Sequence, residues 1–128
     1  AGFAGAVADA MALFEKFEAK LTEVNGNLQK AVVEMAKDWR TDKILKELDA
    51  LLAIMDIKSA YLLSGSGDVI EPDDQVISIG SGSGYAVAAA RAYLDAGEKN
   101  PTVIVRNAMK ITAELCIYTN DKITILEA

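Results

Sequence analysis

The chain has 128 residues, enough for one domain with a substantial core. Its 52% hydrophobic and 25% charged residues exclude a disordered polymer. A net charge of −6 argues against non-specific attraction to nucleic acid or anionic lipid. The first residues, "AGFAGAVADAMALF", enter small and apolar material with no polar lead-in and no initiator methionine. Because termini usually lie at the surface, this start predicts a processed or trimmed chain with something upstream removed.

From Val7 to Val24 the apolar residues Met11, Leu13, Phe14, Phe17 and Leu21 recur mostly at three- and four-residue spacing, which predicts an amphipathic helix. Asn25-Gly26-Asn27 ends it, with glycine suited to a left-handed position past a helix end. Leu28 to Trp39 reads as a second helix, and so short a turn predicts an antiparallel pair forming one layer. Lys43 to Leu48 has helical propensity, whereas "LLAIM" fits a short buried strand equally well. "SAYLLSGSGDVIEP" reads as a hairpin around Gly65-Ser66-Gly67-Asp68. A turn at Pro72-Asp73-Asp74 leads to a predicted strand, Gln75 to Ile79. Helices then follow over Tyr85 to Ala96 and Thr102 to Leu115, and "DKITILEA" reads as a last strand. Helices and strands fall in separate runs, the pattern of an α+β layered domain, read as a single domain over 1–128.

The stretch between the predicted strand and the third helix, "IGSGSGY", is where a nucleotide cradle would sit. Gly80, Gly82 and Gly84 miss the G-x-G-x-x-G spacing, and Tyr85-Ala86 is not the Lys-Ser/Thr pair of a P-loop. Two readings stay open: a tight turn that packs helix close to sheet, or a loop whose backbone N–H groups and hydroxyls line a site. Ser81 is the side chain placed to reach a neighbouring reactive group.

A self-sufficient catalytic set is missing. With no histidine, a Ser–His pair cannot form, and the commonest zinc ligand and general base are absent. The carboxylate pairs Asp73/Asp74 and Asp38/Asp42 fall in turn-like segments that favour solvated charge. Cys116, the single cysteine, excludes an internal disulfide and reads as a buried structural thiol in a reducing compartment. No apolar run reaches the length of a membrane span, about 18 residues, and no signal-peptide pattern appears, so the chain reads as soluble and intracellular.

Several separated stretches resemble one family. "AGFAG" followed by "ADA", "AKDWRTDK" at 36–43, "GDVIEP" at 67–72, "IGSGSGYAVAAARA" at 79–92 and "CIYTN" at 116–120 look like the peptidase subunit (HslV, or ClpQ) of the HslUV proteases. Order and spacing agree over essentially the whole chain. The resemblance implies a proteasome-like N-terminal nucleophile hydrolase: a four-layer αββα sandwich, here lacking its first β-hairpin. It also implies that "DALLAIMD" is largely strand, tertiary context overriding local propensity.

Function follows from the same resemblance. Family members form a double hexameric ring around a closed chamber, are activated by a hexameric HslU-type ATPase, and degrade unfolded proteins in the cytoplasm of bacteria or in mitochondria. Their nucleophile is an N-terminal threonine whose own α-amino group is the base, a chemistry that needs no histidine. That threonine, with the aspartate and lysine that tune its amine, is expected upstream of "AGFAG", so the 128 residues alone are expected to be inactive. Gly5 matches the glycine whose backbone N–H helps form the oxyanion hole. Ser81 matches the serine that assists proton handling beside the nucleophile. The backbone carbonyls of Ala113, Cys116 and Thr119 match a structural sodium-type cation site; these are main-chain ligands, so alanine at 113 in place of glycine is compatible with it. Two positions depart from the family pattern: Ala6 replaces a second glycine, and Ser83 stands where "GSGG" is usual. Either change narrows the substrate cleft or is simply tolerated. The alternative reading is a non-catalytic ring scaffold or an engineered fragment of the same fold.

Overall fold

Spacing of apolar residues decides most of the first half of the chain. A computed structural model describes residues 1–127 and divides into two compact units, one of Ala1–Ile77 and one beginning at Ser78. In the first unit, strand β1 (Gly2–Gly5) leads into helix α1 (Val7–Glu23) and helix α2 (Leu28–Thr41). The turn between the helices carries Asn25 at φ 54° and Gly26 at φ 78°, the left-handed stop expected there. Asn27 then caps α2 by accepting the Lys30 N–H at 3.0 Å. Across this helix pair, Lys20 reaches Asp38 at 3.2 Å and Lys16 reaches Asp42 at 3.6 Å.

The predicted helical lean of Lys43 to Leu48 reduces to one 3₁₀ turn, Leu45–Glu47, started by the Asp42 carboxylate, which accepts the Ile44 and Leu45 N–H groups. Three strands follow: β2 (Ala50–Met55), β3 (Ala60–Ser64) and β4 (Val69–Ile70). With β1 they form an antiparallel sheet in the order β1-β2-β3-β4. The "LLAIM" segment is therefore strand, as the family resemblance implies. Along β2, Ala50, Leu52 and Ile54 are buried at period two, while Leu51 and Ala53 are only partly covered. Leu52, Ile54 and Leu63 meet Leu13 and Phe17 of α1 and Val32, Met35 and Trp39 of α2 in one core. Each large side chain removed from water in this way contributes roughly 1.5–3 kcal/mol.

The hairpin between β3 and β4 lies close over the end of α2. A Cβ on Gly65 would stand 3.1 Å from the indole Nε1 of Trp39. Trp39 is fully buried, and its Nε1 has no hydrogen-bond partner.

In the second unit, helix α3 (Ser83–Asp95) packs on helix α4 (Pro101–Leu115). Ala86 and Ala90, one turn apart, are buried on α3, as are Ile104, Ala108 and Thr112 on α4. Small residues on facing stripes let two helices approach closely. Asn100 starts α4, its side chain accepting the Thr102 and Val103 N–H groups, and Pro101 occupies the first turn.

Two predicted strands are absent among the described residues. Gln75 to Ile79 begins with Gln75 at φ 57° and continues without ladder partners. The tail over 121–127 is irregular, and residue 128 of that predicted strand lies outside the described residues. Apolar β-branched residues favour an extended backbone, but a strand also requires a neighbour to pair its N–H and C=O groups. No helix of the described residues is long and apolar enough to cross a membrane.

Candidate active site

Ser81 sits on the turn that opens α3. Gly80 takes φ 99°, and its carbonyl accepts the Ser83 N–H at 3.1 Å, so the chain reverses within three residues. Gly82 is the N-cap, with its carbonyl accepting the Ala86 N–H at 3.1 Å. Ser81 is exposed, whereas Gly82 directly after it is buried. A Cβ on Gly82 would lie 2.5 Å from Thr112 Cγ2 and 2.8 Å from Thr119 Oγ1. Glycine is required here by close approach, and the side of α4 presses against the turn that carries the serine.

The residues after α4 complete this arrangement. Cys116 is the C-cap, its N–H donating to the Thr112 carbonyl, and its own carbonyl accepts the Thr119 N–H at 3.0 Å. The Cys116 Sγ lies 3.8 Å from Ser81 Oγ, joining two residues far apart in sequence. Hydrogen bonds from the Thr119 side chain and the Tyr118 backbone pull the thiol below its usual pKa against the opposing effect of desolvation. Thr112, a buried polar side chain, is satisfied by donating to the Ala108 carbonyl at 2.7 Å. Ser81, Gly82, Thr112 and Thr119 border a cavity of about 530 Å³ whose walls also include Met109 and Lys122. The cavity combines hydroxyls and one ammonium with apolar side chains such as Ile79, Val105 and Met109, and no imidazole is available to act as a base.

Gly5, the other residue assigned to the reaction, ends β1 in the first unit. It holds φ 129°, and a Cβ would stand 2.3 Å from the Asp49 carbonyl oxygen, so a side chain is excluded twice over. The Ala6 N–H donates to that carbonyl at 3.4 Å. Gly5 stands opposite Ala50 in the β1–β2 ladder, and β1 is an edge strand of the sheet.

Ala113 lies in the last turn of α4, whose final carbonyls have no intrahelical donor. Cys116 and Thr119 follow in the turn after the helix, where the Cys116 carbonyl accepts the Thr119 N–H. A shallow depression is bordered by Lys110, Ala113, Glu114 and Asp121. No group of three or more histidine, cysteine or acidic side chains with metal-binding geometry occurs among the described residues.

Ser81, Cys116 and Thr119 are thus gathered in the second unit, and Gly5 stands in the first. The close approach at Gly82 and the support from Thr112 were not foreseen from the sequence. The available signal was a lone threonine at a helical core spacing, four residues after Ala108, facing a glycine-rich turn.

The Proteasome subunit family profile matches residues 1–128. The ATP-dependent protease subunit HslV of Pseudothermotoga lettingae is 56% identical over 127 residues, covering 99% of this chain and 72% of that protein. The protein of the same description from Listeria innocua is 54% identical over 129 residues, with the same coverage of 99% and 72%. The crystal structure of eukaryotic HslV from Trypanosoma brucei matches with a TM-score of 0.88 and 41% identity, over 94% of this chain and 70% of that chain.

Proposed function

The chain belongs to the proteasome family, and from that premise we propose that it is the proteolytic subunit of an HslUV-type ATP-dependent protease. The observation that carries this reading is the end-to-end identity with HslV subunits, 54–56% across 99% of the chain. The α+β fold, of the N-terminal nucleophile hydrolase type, agrees with it. In this reading the chain works as a homo-oligomeric double ring with a hexameric ATPase, on unfolded protein, in the bacterial cytosol or in a mitochondrion.

The nucleophile in this mechanism is an N-terminal threonine. The threonine oxygen attacks the scissile carbonyl while its amine takes the proton. The Gly5 N–H stabilises the oxyanion as it forms, a contribution of about 3–4 kcal/mol for a well-aimed donor. Ser81, exposed on its turn, exchanges hydrogen bonds with that amine and keeps the proton near it. In this reading the Ala113, Cys116 and Thr119 carbonyls would hold a sodium-type cation, which would supply structural charge at the end of α4 and take no part in bond making.

Hydrolysis of a fluorogenic peptide by the particle assembled with its ATPase and ATP tests this. Ser81→Ala is expected to lower kcat about tenfold or more, the scale of a lost proton-handling group. Unchanged turnover in that variant, or turnover by the isolated 128-residue chain that disappears with Ser81→Ala, sinks the reading.

A further inference from the structure

We propose that the side chains of Cys116 and Thr119 are positioning residues for Ser81, so that the turn after α4 aims the Ser81 hydroxyl into the cavity. This rests on the role for Ser81 given above, and it goes beyond the carbonyl groups that alone were assigned to these two residues.

A serine on an exposed turn has three χ1 wells and no intrinsic preference strong enough to hold one. Ser81 is exposed and follows Gly80, a residue with wide conformational freedom, so its aim must come from neighbours. Two contacts provide it. The Cys116 S–H donates to Ser81 Oγ at 3.8 Å, within the longer range of sulfur hydrogen bonds. Thr119 Oγ1 lies against Gly82, where a Cβ would come within 2.8 Å of it. Thr119 therefore limits sliding of the glycine turn, while the Cys116 sulfur fixes the hydroxyl. The backbone bond from the Thr119 N–H to the Cys116 carbonyl closes the turn that carries both side chains. Accepting the S–H leaves the Ser81 proton free to donate into the cavity.

The test uses the assembled peptidase–ATPase complex and a fluorogenic peptide. Cys116→Ala removes the donor at almost constant volume, and it is expected to lower kcat about five- to tenfold with KM unchanged. Cys116→Ser restores an O–H donor and is expected to recover most of that loss, which a purely structural defect would not allow. Thr119→Val, isosteric, is expected to produce the same kcat loss and serves if Cys116→Ala does not assemble. In the Ser81→Ala background neither substitution should have a further effect. Full activity in both Cys116→Ala and Thr119→Val, with Ser81→Ala impaired, overturns this proposal and leaves the role of Ser81 intact. Additive losses in the double variants overturn it as well. If Ser81→Ala itself is fully active, the failure belongs to the catalytic reading of Ser81, and this proposal falls with it.

Discussion

Gly82 has no room for a side chain. A methyl group there would meet Thr112 Cγ2 at 2.5 Å and Thr119 Oγ1 at 2.8 Å, and Thr112 cannot retreat because its hydroxyl is tied to the Ala108 carbonyl. Gly82→Ala is therefore expected to lower stability by roughly 1–3 kcal/mol, the usual cost of overpacking a close contact. Calorimetric melting of the two proteins checks this, and an unchanged melting temperature would show that the turn yields without strain. Gly84 has nothing within 4 Å of the same added atom, so Gly84→Ala is the control. Two glycines of one short motif thus differ completely in what they do. Their common glycine identity conceals this in the sequence, because the pressure on Gly82 comes from residues 30 and more positions later.

At the scale of elements, helices were the most legible. The spacing of Leu13, Phe17, Val32, Met35 and Trp39 predicts α1 and α2, and the same five residues are the helices' large contributions to the core. Strand β1 was not legible, since "GFAG" has neither alternation nor β-branched residues and exists as a strand only through pairing with β2. The opposite error arose at Gln75 to Ile79 and in the tail, where local pattern was adequate and the ladder is missing. The candidate site was legible through family motifs alone, because no residue type in it declares chemistry by spacing. Turns follow local rules more closely. Asp42 accepts the Leu45 and Ile44 N–H groups and lies near Lys16, which together hold its carboxyl below the ordinary value of 3.8. Asp56 is lowered likewise by the Lys58 and Ser59 N–H groups. A carboxyl more acidic in the folded than in the unfolded chain stabilises fully above its unfolded pKa, and that contribution disappears as pH falls through the lower folded value. Melting temperature should accordingly drop below about pH 4, the aspartate range. Asp42→Asn, which keeps the acceptor and removes the charge, should flatten that acid limb; an unaltered limb would assign acid sensitivity elsewhere.

For the molecule as a whole, charge and sheet edges act against each other. The free edge of β1 and the exposed Phe3 beside it offer unpaired backbone and apolar surface to another chain. The net charge of −6 at neutral pH opposes such pairing, and it vanishes near the isoelectric point of 4.6. Light scattering of the isolated chain should therefore rise steeply as pH approaches that value and fall again at higher pH. Scattering that is flat across this range would mean that the β1 edge is protected without help from charge. The buried indole of Trp39 bears on how any such experiment is read. It is the only tryptophan, and it lies in the first unit, in the core under the hairpin. Intrinsic emission excited at the indole band consequently watches the sheet and its two helices. A fluorescence melt and a helical circular dichroism melt of this chain are two separate measurements, and any gap between them measures how independently the serine-bearing helix pair comes apart.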